Sequence, residues 1–484
     1  MDSSTPAVRS SGVVGVLAFA GIIASLMQSI VVPLIGELPH ILGTTSANSA
    51  WIVTVTLLTA SVVTPVSGRL GDMYGKRRML LVCTVPLIAG SIVCALATSL
   101  VPMIIGRALQ GMGTGIVSLG ISALRDILPP ERLGSGIALI SSSMGIGGAL
   151  GMPVAALVVE NSNWRALFWS AAALSALAAV LIWFYVPATP KAAAKPGRFD
   201  FAGAIGLGLA LICLLLAVSK GADWGWGSAT TLGLLAAAVI LLPVWGWWEL
   251  RATAPLVDLR VTARPTVLLT NAASIVLGLA MYAQALILPQ LLQLPKETGY
   301  GLGQSMIAMG LWMAPSGLMM MVVSPLGAKL SAARGPKVTL VCGSLVMGLG
   351  YGSSLLLLGT AWGVMLVGAI CMIGLALAYG AMPALIMGAV PPSETGSATS
   401  FNTLMRAVGT SVSAAIVGVV LSHMTTDFGG RALPSESGFH VGLLIGCALA
   451  FAAAAIAACI PVQHRRTEAP KATPAGTPAA ARVS

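Results

Sequence analysis

The stretch GRLGDMYGKRR, residues 68–78, sets five charged side chains and three glycines into eleven positions of a chain in which only 8% of residues are charged. Gly68, Gly71 and Gly75 permit a tight turn and close approach of helices. Asp72 is placed to cap, or to face the positive end of, a helix that begins elsewhere in the chain. The run opening at PSETGS, residues 392–397, supplies such a helix start. Arg77 or Arg78 could pair with Asp126. Partly buried contacts of this kind are worth about 1–3 kcal/mol each, a size suited to a latch that has to open. Arg107 and Arg406 lie inside apolar runs, where an arginine costs at least about 2.5 kcal/mol to insert. Arg107 stands six residues into its run, about 9 Å along a helix. It either serves a polar interior or bonds backbone carbonyls and snorkels. Arg406 could also be hydrated through a helix entrance.

The elements that must position these residues follow from composition. Of 484 residues, 57% are hydrophobic, and apolar runs of about 20 residues, enough to cross a bilayer core, recur from end to end. So few charges cannot cover a water-facing surface, since soluble domains carry about 25%. The expected fold class is an all-α polytopic membrane protein. Fourteen spans are predicted: 12–35, 49–67, 79–98, 101–122, 135–159, 165–186, 201–218, 229–248, 267–293, 304–324, 338–358, 361–387, 396–422 and 440–461. With the N-terminus in the cytoplasm, twenty of the 26 Lys and Arg residues fall on the inner side, and only Arg165, Lys220, Lys296 and Arg431 fall outside. This asymmetry puts both termini in the cytoplasm.

The net charge of +11 is therefore a topology signal, and no nucleic-acid partner is expected. The seven cysteines are scattered, without CxxC spacing, and read as packing residues; no metal site is expected. No GxxxxGK[ST] loop occurs, which argues against an ATP-driven pump. A cleavable signal peptide is not evident, so the first run is expected to remain as a span.

LPPERLGSG (128–136) and VPPSETGSA (390–398) each precede a span. The opening signature has an echo in AKLSAARGPK (328–337), with Ala332 at the position of Asp72. Repeats of like orientation indicate two six-helix bundles. The division is a cytoplasmic N-terminus (1–11), an N-terminal bundle (12–186), an inserted helix pair with its linkers (187–265), a C-terminal bundle (266–461) and a disordered cytoplasmic tail (462–484).

GRLGDMYGKRR resembles the loop signature between the second and third spans of the major facilitator superfamily, and IIGRALQGMG (104–113) resembles that superfamily's fourth-span motif. LRDILPPERLGSG, FNTLMRAVGTSV (401–412) and the fourteen-span layout are similar to its drug:proton antiporters. The resemblance implies a major facilitator fold and alternating access driven by a proton gradient, with no cofactor. It also implies a role for Arg107 in proton transfer or in organising the central cavity. In the fifth span, SMGIGGALGMPVAA keeps Gly147 and Gly151 of the antiporter motif, as a pliable, close-packing helix face. Pro153 lies one place later than the motif's proline, where Met152 stands, and Ala155–Ala156 replace its glycine pair.

The fourteen-span antiporters usually carry an aspartate in span one; here Met27 holds that position. By the predicted spans, none of the fifteen acidic residues lies near the bilayer midplane, and the deep charges are Arg107 and Arg406. Burying an unpaired cation is prohibitive, so neutral or anionic amphipathic substrates are expected. Gln28, Asn271, Gln284, Gln290 and Asn402 are candidate cavity hydrogen-bonding groups, with Tyr282, Trp312 and Tyr379 as aromatic walls. Glu37 is the first candidate for proton coupling, since burial could raise its pKa, and Asp126 the second.

The functional expectation is a secondary exporter of drugs or of an antibiotic made by its host, acting as a monomer in a bacterial inner membrane. Its partners are the small-molecule substrate, protons and the lipid bilayer. Uptake or facilitated diffusion of a small solute is the alternative transporter reading. A non-transporting sensor or scaffold is disfavoured because the connectors are short. No catalytic constellation stands out, so enzyme activity is not expected.

Overall fold

The structure is a computed structural model of the chain and describes residues 5–31, 34, 38–49, 51–188, 198–428 and 431–461. Fourteen long helical segments account for most of them, in chain order α1 (Thr5–Ser29), α2 (Trp51–Tyr74), α3 (Lys76–Leu96), α4 (Leu100–Ile127), α5 (Pro130–Asn161), α6 (Arg165–Tyr185), α7 (Phe201–Trp224), α8 (Ala229–Arg251), α9 (Pro265–Gln293), α10 (Met306–Arg334), α11 (Pro336–Leu357), α12 (Ala361–Ala389), α13 (Thr395–His423) and α14 (Glu436–Ala458). All except α5 are, as described, long and apolar enough to cross a membrane, and α5 is itself 32 residues long. In a bilayer every backbone N–H and C=O must be satisfied within the segment, and the continuous helix does this.

Several helices run past the predicted span edges. The largest consequence falls on the opening signature. α2 continues to Tyr74, so Gly68, Gly71 and Asp72 occupy its last turns, and Gly75 alone makes the turn, at φ 99°. Gly335 takes the equivalent left-handed position between α10 and α11, at φ 88°. α4 is interrupted by a 3-10 turn at Gly113–Gly115, where bare glycine backbones meet α2 and α3.

Helices α1 to α6 pack together as one bundle and α9 to α14 as another, each around its own hydrophobic core, the first reaching Met387 of α12. The bundles meet along α2 against α13 and along α5 against α10 and α12. α7 lies against both α2 and α13, along the seam, whereas α8 packs chiefly on α7. Most of α8 is exposed, with Trp247, Val239 and Ile240 facing outward, as lipid-facing residues would. A short hairpin of β1 (Thr425–Phe428) and β2 (Arg431–Pro434) joins α13 to α14. The Tyr300 hydroxyl donates to Pro434 O at 2.6 Å and holds that hairpin against the loop between α9 and α10.

Candidate functional site

On the face that carries Gly75, the two bundles are latched by Asp72. Its Oδ1 accepts from Gly396 N at 3.0 Å and its Oδ2 from Ser397 N at 2.8 Å. These amides open α13, where N–H groups lack intrahelical acceptors and the helix dipole favours a carboxylate. The contact is 9% exposed. Glycine makes the approach possible: a Cβ on Gly68 would stand 2.6 Å from Ser400 Cβ, and one on Gly396 would stand 2.7 Å from Gly68 O. The Ser400 hydroxyl donates to Ser118 Oγ at 2.9 Å in the same seam.

The arginines of the signature do not join this latch. Asp126 pairs instead with Lys76, at 2.7 Å, and the same ammonium donates to Ser122 O at 3.1 Å. The expected Arg77 or Arg78 partnership is corrected because Gly75 turns the chain so that Lys76 enters the interior. Arg77 stacks on Trp183, with its guanidinium carbon 5.4 Å from the ring, and donates to Trp183 O. Arg78 is exposed. The residue that does cross between bundles is Arg125, which donates to Val390 O at 3.1 Å and Thr395 Oγ1 at 2.8 Å. Sequence inspection passed over it because an arginine at a helix end reads as a topology signal.

Arg107 is completely buried. It donates to Met27 O at 2.7 Å, to Ile52 O at 3.3 Å and to Gln110 Oε1 at 2.7 Å, tying α1, α2 and α4 together near the face opposite Gly75. Gln110 in turn donates to Ser91 Oγ at 2.8 Å. Of the two readings open at the sequence level, carbonyl bonding describes this geometry. As a cavity-lining cation, Arg107 is corrected: it is fully enclosed, and its Nε and Nη1 donate within the N-terminal bundle. Met27 contributes its carbonyl where the resembling transporters carry a carboxylate. Glu37 lies outside the described residues.

Arg406 is different. It sits eleven residues past the start of α13, about 16 Å along the helix, close to its middle. It is 7% exposed, its guanidinium carbon lies 4.3 Å from the Tyr379 ring centre, and no carboxylate pairs with it among the described residues. The Tyr379 hydroxyl donates to Met281 Sδ at 2.9 Å. α9, α12 and α13 thus converge on one cation set against one aromatic face, a cation–π arrangement that stabilises the charge without neutralising it.

The remaining cavity candidates do not all gather there. Asn402 donates to Asn271 Oδ1 at 2.9 Å and to Ser274 Oγ at 2.8 Å, a self-satisfied cluster nearer the Gly75 face. Gln284 donates to Met372 Sδ at 3.4 Å, and its buried Oε1 has no partner. Trp312 is corrected as a central wall. It lies at the opposite rim, bonded to Gln304 Oε1 at 3.2 Å and edge-on to Trp362 at 4.9 Å between ring centres. Gln28, Tyr282 and Gln290 are partly buried. In α5, Gly147 packs against α1, with its carbonyl accepting from Ser29 Oγ at 3.3 Å, and Gly151 faces the same Ser29. Pro153 packs against Gly310 of α10, 3.5 Å from the position a Cβ would take there. One helix therefore touches both bundles.

The fold and this inter-bundle latch define a polytopic membrane protein built from two like helix bundles with an inserted pair. The Major Facilitator Superfamily profile matches residues 17–414, and the chain belongs to that family. It is 29% identical over 88% of its length to an uncharacterized MFS-type transporter of Mycobacterium tuberculosis, of which the match spans 62%. It is 27% identical, over 79% of this chain and 70% of the relative, to the tetracenomycin C resistance and export protein of Streptomyces glaucescens. Among solved structures, the human organic anion transporter MFSD10 superposes with a TM-score of 0.65 over 93% of this chain and 99% of that one, at 15% identity, a likeness of fold.

Proposed function

We propose that the protein is a secondary exporter of neutral or anionic amphipathic compounds, coupled to proton entry and working by alternating access in a bacterial inner membrane with both termini cytoplasmic. The single observation that carries the substrate class is Arg406, a cation at the middle of α13, stacked on Tyr379 and without a carboxylate partner among the described residues. An organic cation brought there would meet like charge in a low-dielectric interior, whereas a carboxylate would gain a charge-assisted bond. The Asp72 contacts support a reading of this conformation as closed on the cytoplasmic side. The relative named for tetracenomycin C resistance and export supports the export direction. The carrier of the coupling proton is not assigned to Arg107, which is completely buried and whose Nε and Nη1 donate within one bundle.

Transport in inverted vesicles tests the reading. A pH gradient should drive accumulation of nalidixic acid, a carboxylated antibiotic, and not of ethidium, a permanent cation. Arg406→Ala should lose the first without gaining the second. Accumulation of ethidium with exclusion of nalidixic acid would reject the substrate class.

A further inference from the structure

The inserted pair holds a buried carboxyl group that none of the contacts above engages. Glu249, near the end of α8, is 2% exposed, and neither of its oxygens has a hydrogen-bond partner. Trp245 Nε1 and the amides of Leu256 and Val257 point towards it without reaching hydrogen-bond geometry. Asp200, which caps α7 by accepting from Gly203 N at 2.8 Å, lies beside it. A methyl group built on Gly203 would sit 2.5 Å from Asp200 Oδ2 and 2.7 Å from Glu249 Oε1, so the two oxygens are separated by no more than the sum of those distances. Glycine is required here because any larger residue would occupy the space the two carboxyl groups share.

Among the described residues, no salt bridge engages either carboxyl group. The described charged groups at this end of the packed elements are Asp200 and the exposed Arg198 leading into α7, Arg251 on α8 itself, and Asp258 and Arg260 on the following turn; Lys220 and Asp223 pair with each other at the far end of α7. Arg251 stacks on Trp247, Asp258 caps Arg260 N and Val261 N, and the Arg260 guanidinium donates to Leu250 O. The Trp248 indole donates to Asp200, at 3.1 Å to Oδ2 and 3.2 Å to Oδ1. A charged Glu249 would stand beside Asp200 without a hydrogen bond of its own, which is costly in a buried site.

The pair also touches the latch. Leu256 and Val257, which face Glu249, are buried in one hydrophobic cluster with Leu207 and Leu211 of α7 and Phe401 and Leu404 of α13. Leu256 O accepts from Ser397 Oγ at 2.8 Å, and Ser397 N is a donor to Asp72. The same linker residue therefore has the carboxyl pair on one side and the latch on the other.

We propose that Glu249, set beside Asp200, is a proton-binding site, and that its proton stabilises the closed latch through the Leu256–Val257 linker. Binding takes one proton from water and releases none; its loss leaves two like charges facing each other. The linker then moves away, water reaches both groups, and Ser397 loses its second anchor. This site is independent of the transported compound and goes beyond the export reading.

Two measurements on the full-length protein in nanodiscs test it. Infrared difference spectra should contain a protonated-carboxyl C=O band that is lost as pH rises, absent in Glu249→Gln and displaced or absent in Asp200→Asn. Asn keeps the α7 cap, so the second variant retains the fold if the first does not. Amide exchange at Gly396 and Ser397 is then taken as the ratio of Glu249→Gln to wild type at each pH, which cancels intrinsic chemistry. The ratio should be near one in acid and should fall at alkaline pH, by about tenfold for each pH unit over which the closed form holds its proton more tightly. A carboxyl band indifferent to both substitutions, or an exchange ratio flat across pH, would overturn the proposal. Filling of the site by sodium instead would appear as sodium-dependent exchange without the band, and would also overturn it.

Discussion

Replacing Asp72 by Ala removes two hydrogen bonds of 3.0 and 2.8 Å that join the bundles. Hydrogen bonds to a charged group contribute about 1.5–3 kcal/mol each, and part of that offsets the cost of burying the carboxylate. A net loss of about 2–4 kcal/mol from the closed latch follows, or roughly a 30-fold to 1,000-fold shift towards opening, at 1.36 kcal/mol per factor of ten. Asn in place of Asp keeps one acceptor oxygen and should lose about half of that free energy. The latch should weaken without the bundles unfolding, because Arg125 to Thr395 and Ser400 to Ser118 remain. Amide hydrogen exchange reads this directly, since Gly396 and Ser397 open a helix and depend on Asp72 as their acceptor. Their exchange should accelerate by the stated factor, while amides in the middle of α12 stay protected. Exchange at Gly396 and Ser397 unchanged from wild type in Asp72→Ala would refute the reasoning.

Four further outcomes follow from the same geometry. Gly68→Val should oppose closure, since its Cβ would meet Ser400 within 2.6 Å, costing about 1–3 kcal/mol; faster exchange at Ser397 checks it. Asp126→Asn strips the buried Lys76 of its 2.7 Å partner and should lower thermal stability by up to about 3 kcal/mol, with partial recovery in the double variant carrying Lys76→Met. Arg107→Lys cannot reproduce the contacts to Met27, Ile52 and Gln110, so thermal stability should fall and all substrates should be affected alike; a selective loss of anionic substrates would contradict that. Tyr300→Phe should free the hairpin from Pro434 at a cost of about 0.5–1.5 kcal/mol. The Tyr300 hydroxyl is held above its ordinary pKa by burial and by Glu436. Its contribution is therefore present below the unfolded value and lost as pH rises through the folded one, measurable as alkaline destabilisation absent from the variant.

The helices and their order were legible because lipid imposes one rule on every span, a run of apolar residues about 20 long. The pairing of residues across the bundles was legible only in part. Asp72 could be matched to PSETGS, since an acid and a helix start carry complementary signs. Lys76, Arg77 and Arg78 are chemically near-equivalent in a string, and the direction in which the chain leaves Gly75 decides which of them is buried. The same limit applies to Arg125, and to Glu249, which looks like an ordinary helix-end acid until α7 and the linker close over it.

The sequence by itself determined a lipid-solvated helical protein of two repeated bundles, because hydropathy and charge asymmetry are sums over local composition. The tertiary structure decided how three of the buried charges are satisfied: Arg107 chiefly by carbonyls, Asp72 by amides, Arg406 by an aromatic face. In a medium without water, that outcome depends on ångström-scale distances between residues far apart in the chain, and composition carries no record of those distances.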